Sequence, residues 1–270
     1  MPEGDTIWKT ARTLRGVLRG RPVTRFSSPD PRVAAAARRL ALVGQTVADV
    51  APIGKHLLVH FSGGAALHTH LGMHGSWHTY RLGTPWRKSP RAARAVIETA
   101  EVLAVCFGAP LVELLSAAEA AAHPGLRALG PDLLAADVDA AAARAGLRAH
   151  DQVEIGVALL DQTALAGIGN VYKSEILFLE RVDPFVRVAA LEDGTLDRLI
   201  ATAVRVMRLN LGPGTRHTRP RLSPEPLWVY GRAGQPCRRC GAPVQRARQG
   251  EQRRSTYWCP RCQRSAAGAP

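Results

Sequence analysis

Four cysteines near the end of the chain place the tightest constraint on its fold. They fall as two pairs, Cys237-x2-Cys240 and Cys259-x2-Cys262, with eighteen residues between the pairs. Two such knuckles close a tetrahedral zinc site while the residues between them form a hairpin. Disulfides are the alternative, but no feature of the sequence indicates secretion. The pattern therefore predicts one structural Zn²⁺ bound by these four thiolates.

The positive charge of the chain is concentrated in the same region. The formal net charge is +14, and from Arg205 onwards 14 arginines stand against two acids, Glu225 and Glu251, which places +12 there. Such asymmetry is typical of a surface that binds a polyanion. A solvated basic tail is the alternative, but tryptophan, tyrosine and cysteine are interspersed among these arginines. We therefore predict a nucleic-acid partner.

Length and hydropathy narrow the class of protein further. The 270 residues suffice for about two domains. No apolar run approaches the ~20 residues of a membrane span, and the chain does not start like a signal peptide. We expect a cytoplasmic monomer without a membrane partner.

Hydrophobic periodicity predicts an α+β fold whose first domain, residues 1–122, is mostly β. Apolar residues recur at helical spacing near the start, at Ile7, Ala11, Leu14 and Leu18. They predict a long helix over residues 6–19 that Asp5 or Thr6 caps. From residue 47 to 106 short β-rich runs alternate with Gly and Pro, and Cys106 reads as a buried strand residue.

Pro and Gly content divides the rest of the chain into a linker, a helical domain and a zinc finger. Residues 123–137 are punctuated like an interdomain linker, and residues 138–226 are predominantly helical. Within this helical domain, residues 212–226 are Pro-rich and basic, which predicts a mobile loop. Residues 227–270 form the four-cysteine zinc finger.

The first residues carry a candidate nucleophile. Removal of the initiator methionine would give Pro2 a free secondary amine, and an α-amino group titrates near ~7.7–8.0 whereas a lysine titrates near ~10.4. The unprotonated amine attacks an aldehyde carbon to form a Schiff base. Glu3 would be the adjacent proton donor or acceptor. Alternatively, Pro2 and Glu3 merely precede a helix.

Five other residues are candidates for contacts with DNA. Asn170 follows the turn LAGIG where a helix begins, and the free N–H groups at such an end favour a phosphate. Lys55 stands on a turn between two strands, and Arg253 and Arg254 fall on the hairpin between the cysteine pairs, where arginine can clamp a phosphate. Met73 in HLGMHGSW is a flexible apolar side chain suited to enter a base stack. Each of these signals is weak in isolation. An ordinary helix-packing corner has the same glycine pattern, and a solvated surface charge has the same sequence appearance as a phosphate contact.

A run of histidines suggests a metal site at first sight. His68 and His70 would share one strand face, and His74 and His78 follow. No carboxylate or cysteine accompanies them nearby in the sequence. We therefore expect no metal there.

Taken together, these motifs resemble the formamidopyrimidine-DNA glycosylase/endonuclease VIII family of base-excision repair enzymes. The shared segments run in order from the N-terminus: PEG, GKHLL, HLGMHGSW, LGPDLL, GIGNVYKSEILF and RRSTYWCPRCQ. The resemblance implies an N-terminal β-sandwich with a long N-terminal helix, a helix–two-turn–helix domain and a zinc hairpin. Its implied activity is that of a DNA glycosylase and AP lyase acting on damaged DNA, with no catalytic metal.

The resemblance also implies roles for individual residues. Pro2 would attack C1′ of the damaged nucleotide, and Glu3 would help open the sugar. Lys55 would contact phosphate and assist β-elimination, and Arg254 would serve δ-elimination. The remaining implied roles are DNA contacts. Asn170 would bind the phosphate at the lesion, and Met73 would fill the void that the flipped base leaves.

Departures from the family pattern bear on the substrate. Thr6 stands where the family commonly has a second glutamate. The Arg-x-Phe wedge usual in the purine-damage branch has its nearest match in Val105-Cys106-Phe107, which lacks arginine. The start Pro-Glu-Gly and GPDLL favour the endonuclease VIII branch and oxidised pyrimidines, whereas Met73 favours the other branch. An oxidised-purine preference and a non-catalytic DNA-binding zinc protein stay open as alternatives.

Overall fold

The structure is a computed structural model that describes residues 2–220 and 223–264. The chain divides into two compact units, Met1–Arg127 and Ala128–Pro270. A separate cluster of buried apolar side chains stabilises each unit. The predicted α+β class is confirmed, with a β-rich first unit and a helical second unit that ends in a hairpin.

The first unit begins with the predicted long helix, α1 (Gly4–Leu18). Its apolar side chains recur three and four residues apart, and all are buried: Ile7, Ala11, Leu14 and Leu18. The helix starts two residues earlier than the sequence suggested. Glu3 therefore occupies the N-cap position instead of Asp5 or Thr6, and its carbonyl oxygen accepts hydrogen bonds from the N–H groups of Thr6 (2.8 Å) and Ile7 (3.1 Å).

Two four-stranded antiparallel sheets form the sandwich. The first has the order β1 (Arg25–Ser27), β6 (Ala93–Glu98), β7 (Val102–Phe107) and β5 (Ser76–Arg81). The second has the order β2 (Val47–Ile53), β3 (His56–Phe61), β4 (Ala66–His70) and β8 (Leu111–Leu115). Side chains from both sheets meet in one core with α1, among them Leu57, Leu67 and Ile97. Cys106 lies fully buried in β7, as predicted, and burial raises the pKa of its thiol to about 12.

Three shorter helices complete the first unit: α2 (Pro31–Arg39), α3 (Ala117–Ala122) and α4 (Pro124–Arg127). A capping box starts α3, because the Ser116 side chain accepts from the Glu119 N–H and the Glu119 carboxylate accepts from the Ser116 N–H. The helix ends at His123, which takes extended backbone angles. This ending places His123 beside the last strand of the second sheet.

Within the described residues, the second unit contains four α-helices and one β-hairpin. The helices are α5 (Ala140–Arg148), α6 (Ile155–Ala158), α7 (Asn170–Leu179) and α8 (Asp193–Arg208), and the hairpin pairs β9 (Gln245–Gln249) with β10 (Arg254–Trp258). Leu147, Tyr172 and Leu199 are among the buried side chains that hold the helices together. Within residues 2–220 and 223–264, no helix combines the length and apolar character that crossing a bilayer requires.

Candidate functional site

The candidate nucleophile and its acid/base partner lie at the start of α1. Pro2 is half-buried, and Glu3, directly after it, is completely buried. Only Glu3 separates Pro2 from the first residue of the helix, Gly4. The positive end of the helix dipole stabilises negative charge at this position. A carboxyl group is thus held next to the second residue of the chain, out of bulk water.

Lys55 lies in a two-residue turn that joins β2 to β3. The last and first residues of these strands, Ile53 and His56, pair directly across the turn. Gly54 takes a φ of 55°, a left-handed conformation that glycine adopts without strain. The side chain at position 55 is half-buried. The conformation of Gly54 therefore fixes the position of Lys55 at the end of the sheet.

Helix α1 and strand β2 run antiparallel to each other. Two contacts define the direction: Arg15 Nε donates to Asp49 Oδ1 (2.7 Å), and Gly20 N donates to Val47 O (2.8 Å). About 18 Å of helix leads back from Arg15 to the start of α1, and about 20 Å of strand leads from Asp49 to the Lys55 turn. Pro2, Glu3 and Lys55 consequently lie towards the same end of the sandwich.

Met73 is exposed on the turn between β4 and β5. The residue is 58% accessible, so its flexible apolar side chain is available for contact. Neighbouring Gly75 has no room for a side chain, because a Cβ there would lie 2.3 Å from the Leu71 carbonyl oxygen. The tight turn therefore presents Met73 to solvent. By contrast, the nearest match to the Arg-x-Phe wedge, Val105 to Phe107, is fully buried in β7 and cannot enter DNA.

Asn170 is the first residue of α7, as predicted, but its side chain faces the hairpin. Gly169 caps the helix with extended backbone angles, and Asn170 is 4% exposed. The amide nitrogen donates to the carbonyl oxygen of Ser255 on β10 (2.6 Å). An amide nitrogen carries two N–H donors, so this bond engages one of them. The residue thus joins the helix start to the strand that begins at Arg254.

Two further residues of α7 bind the same strand, and sequence analysis did not identify them. Lys173 is completely buried, and its Nζ donates to Thr256 Oγ1 (2.6 Å), which in turn donates to Gln249 Oε1 (2.7 Å). Ser174 Oγ accepts from the Tyr257 N–H (3.4 Å). Polar residues within an otherwise apolar helix were the available signal. They hold β10 against α7.

Glu175 organises the segment that leads into the zinc finger. Its buried carboxylate accepts hydrogen bonds from the N–H groups of Trp228, Val229 and Tyr230, each at 2.8 Å. The Thr218 hydroxyl donates to the same carboxylate. One carboxylate therefore joins the middle of the Pro-rich segment, at Thr218, to the residues that directly follow that segment.

Arg253 and Arg254 lie at the turn and the first strand position after it. Arg253 takes a φ of 49°, closes the turn by donating its N–H to the Gly250 carbonyl oxygen (2.9 Å), and is exposed. Arg254 is half-buried and pairs with Gln249 across the hairpin. Together with Lys173 and Gln249 it lines a cleft of about 660 Å³ in the second unit. The hairpin thus presents one arginine to solvent and one to a cleft.

The four predicted zinc ligands converge at the base of the hairpin. Their sulfur atoms lie within 4.8 Å of one another, with 3.9 Å from Cys237 to Cys262 and 3.4 Å from Cys240 to Cys259. Zinc–sulfur bonds of about 2.3 Å in a tetrahedron give sulfur–sulfur distances of about 3.8 Å. The cluster therefore fits zinc. Apolar side chains, including Phe178, pack around it, so the metal would be closed off from substrate.

The histidines of the sandwich have a partner that the sequence did not reveal. Glu113 on β8 lies directly opposite His68 on β4, and its Oε2 is 3.1 Å from His68 Nδ1. His123 Nε2 lies 3.1 Å from the same oxygen, and His56 Nδ1 lies 2.8 Å from His68 Nε2. Burial, with repulsion from His68 and other neighbouring cations, lowers the pKa of His56 to about 3. The carboxylate is absent from the sequence around these histidines, and sheet register brings it to them from β8.

Three family models match the chain in sequence order. The model described as formamidopyrimidine-DNA glycosylase N-terminal domain matches residues 1–110. The formamidopyrimidine-DNA glycosylase H2TH domain matches residues 129–219, and the zinc finger found in FPG and IleRS matches residues 234–264. Both candidate residue groups, at the start of α1 and on the hairpin, fall within matched segments.

Similar proteins span the full length of the chain. "Probable endonuclease 8 2" of Streptomyces coelicolor is 44% identical, with 100% of this chain and 96% of that protein covered. "DNA-(apurinic or apyrimidinic site) lyase Nei2" of Mycolicibacterium smegmatis is 39% identical, with 97% and 99% covered. The fold matches a crystal structure of Lactococcus lactis FPG in complex with a Fapy-dG containing DNA, with a TM-score of 0.82, 24% identity, and 98% and 100% covered.

Proposed function

The chain belongs to the formamidopyrimidine-DNA glycosylase/endonuclease VIII family, and from this membership we propose that it removes oxidised pyrimidines from DNA and then cleaves the strand. The membership confirms the resemblance seen in the motifs and makes the protein a DNA glycosylase with AP lyase activity. Full-length similarity to endonuclease 8 relatives, with no exposed Arg-x-Phe wedge at residues 105–107, supports the pyrimidine preference. We infer that it acts as a monomer in the bacterial cytoplasm.

The pairing of Pro2 with the buried Glu3 is the observation that carries the proposed reaction. With Met1 removed, the Pro2 nitrogen attacks C1′, the N-glycosidic bond breaks, and the base leaves with a proton. The base takes the proton that the Pro2 nitrogen loses. Burial at the helix start keeps the Glu3 carboxyl close to the sugar and out of water, where it donates a second proton to the ring oxygen as the C1′–O4′ bond breaks. The product is an iminium ion between Pro2 and C1′.

Strand cleavage follows from the acidity that the iminium gives to the C2′ hydrogens. Loss of one of these protons expels the 3′ phosphate, which is β-elimination, and a second elimination expels the 5′ phosphate. We assign Lys55 to the phosphate contact and proton transfer of the first step. Arg254 serves the second step through its charge, because a guanidinium pairs strongly with a leaving phosphate. The zinc is structural, so none of these steps involves it.

The remaining site residues are assigned to DNA binding. A base inside a duplex is inaccessible, so the enzyme has to extrude it and fill the gap. Met73 fits the gap because it is apolar, flexible and exposed on a tight turn. The second amide N–H of Asn170 and the exposed Arg253 are assigned to phosphates, whose contacts make binding weaken steeply with salt.

Borohydride trapping tests this proposal. Oligonucleotides carrying an abasic site, an oxidised pyrimidine or 8-oxoguanine are incubated with the wild type, whose mature N-terminus is verified by mass spectrometry. We expect covalent trapping, strongest with the oxidised pyrimidine among the two damaged bases. A protein with residues added before Pro2 should trap nothing, because its amine is blocked. Pro2→Gly retains a terminal amine and serves as the matched variant that should still trap.

Glu3→Gln separates base removal from strand cleavage. An abasic site already has an aldehyde in equilibrium with its closed sugar, so it needs less acid catalysis than a damaged nucleotide. We expect the variant to lose trapping on the oxidised pyrimidine by far more than on the abasic site. Stronger trapping on 8-oxoguanine would shift the substrate to oxidised purines. Tight DNA binding without trapping on any substrate would make the chain a non-catalytic DNA-binding protein.

A further inference from the structure

Three side chains from distant parts of the first unit converge on one point. His68 lies on β4 and Glu113 on the adjacent β8, in direct register, and His123 ends α3. Glu113 Oε2 is 3.1 Å from both His68 Nδ1 and His123 Nε2, and the three ligand atoms lie within 4.8 Å of one another. The sequence separates these residues widely, so only the folded sandwich creates the cluster.

The two distances from Glu113 Oε2 to the histidine nitrogens are close to those in a metal coordination sphere. Metal–nitrogen and metal–oxygen bonds of about 2.0–2.1 Å in a tetrahedron place neighbouring ligand atoms about 3.3 Å apart. Two imidazoles and one carboxylate are a donor set that binds Zn²⁺. His68 is completely buried, whereas the side chains of His123 and Glu113 are 18% and 36% exposed. The buried His68 is thus a fixed ligand. The partial exposure of His123 and Glu113 lets an ion and a water molecule reach the site.

The positions of the imidazole protons are compatible with a metal. His68 would carry its proton on Nε2 and donate it to His56 Nδ1, 2.8 Å away, as ligating histidines commonly do towards an outer partner. His123 would carry its proton on Nδ1, which at present accepts from the Leu126 N–H at 3.2 Å. That N–H retains a second acceptor, the His123 carbonyl oxygen at 3.1 Å. Metal binding therefore costs the hydrogen bond from the Leu126 N–H to His123 Nδ1, but this N–H keeps the carbonyl oxygen as its acceptor.

We propose that His68, Glu113 and His123 form a second zinc site, separate from the four-cysteine site and outside the chemical steps. Water completes the coordination. The ion would link β4, β8 and the end of α3. Because His68 donates to His56, it would also set the proton position on the residue that follows Lys55.

Metal stoichiometry of the full chain, purified without a histidine tag, tests the site. The protein is equilibrated with zinc alone, freed of excess metal, and analysed by inductively coupled plasma mass spectrometry. We expect two zinc ions per chain. Cobalt titration provides a second measurement, because a site of nitrogen and oxygen ligands gives visible absorption without the intense thiolate-to-metal bands of a four-cysteine site. One zinc per chain, with only the thiolate spectrum, overturns the proposal.

Variants assign the second ion to these residues. His123→Gln and Glu113→Gln each remove a ligand but retain a hydrogen-bonding group, and we expect zinc affinity at this site to fall by more than about 100-fold. His56→Gln alters only the outer partner and should cost about 10–100-fold. His74→Gln, at an exposed histidine outside the cluster, is the matched control and should bind two ions. Loss of the second ion in the control, with retention in His123→Gln, would show adventitious binding and refute the site. Retention of the cysteine-bound zinc and an unchanged circular dichroism spectrum verify folding.

Discussion

The sandwich and the zinc hairpin are stabilised in opposite ways. The sandwich buries apolar side chains from both sheets and α1, and its fully buried residues include Leu57, Leu67 and Ile97. The hairpin has only a small apolar cluster around its cysteines. It is held instead by buried polar groups of α7 and by the metal. A segment with few apolar residues can thus reach a defined fold when metal ligands and hydrogen bonds supplement a small core, as in other small domains.

Removal of the zinc should have the largest effect, because the hairpin depends on the metal and the sandwich does not. Cys259 is completely buried among the ligands, and structural zinc contributes about 10–16 kcal/mol in zinc-finger peptides. We expect Cys259→Ser, or chelation, to unfold residues 234–264 and abolish DNA binding. Hydrogen exchange followed by mass spectrometry locates the effect. Unfolding should not extend to residues 47–115, and an equally protected hairpin without metal would contradict the metal-dependent half of the comparison.

Glu175→Gln and Leu67→Ala form a matched pair. The first tests stabilisation by buried polar groups near the hairpin, and the second tests stabilisation by apolar packing in the sandwich. The first variant turns an amide N–H towards donors that now bond to a carboxylate, and we expect a loss of roughly 2–4 kcal/mol in the free energy of unfolding. The second creates a cavity in the sandwich, which costs about 2–5 kcal/mol. Urea titration gives the size of each loss, and hydrogen exchange gives its place. Exchange should rise in residues 223–264 for the first variant and in residues 47–115 for the second. The reverse pattern would refute the assignment.

The ion pair between Arg15 and Asp49 should show the smallest effect. Burial alone would raise the pKa of Asp49, but its hydrogen bonds to Arg15 and Val50 outweigh that and lower it below 3.8. The stabilisation is therefore present above about pH 4 and is lost as the pH falls through the lowered pKa. Both side chains are more than a third exposed, so Asp49→Asn should cost at most about 1 kcal/mol at pH 7. Urea titrations at pH 7 and pH 3 measure it. A difference that is as large at pH 3 as at pH 7 would show that the charge is not responsible.

Local patterns predicted much of the molecule correctly. The spacing of Ile7, Ala11 and Leu14 identified α1, and the two cysteine pairs identified the zinc cluster, because each signal lies within a few helical turns or one hairpin. The start of α1 was misplaced because its first turn, Gly4 and Asp5, is not apolar. The structure buries both of these residues.

What sequence analysis missed depends on register between distant segments. Glu113 faces His68 only because β8 pairs with β4, and no feature near either residue indicates that pairing. A shift of one residue would turn Glu113 to the opposite face of the sheet. Likewise, Lys173 and Glu175 resemble ordinary polar positions of a helix. Their burial follows from the hairpin and the loop that pack on α7, which helical periodicity does not describe.

The bonds between α7 and β10 have a consequence for how this sequence can evolve. Asn170, Lys173 and Ser174 bond to three consecutive residues of the strand, at 255, 256 and 257. Replacing Lys173 by an apolar residue would remove the hydrogen bond that it donates to the buried Thr256 hydroxyl, so we expect a compensating change at position 256 to accompany it. Substitutions in the helix and in the strand should therefore occur together among descendants of this chain. Each such pair would also affect the backbone position of residue 254, which adjoins the strand residues involved.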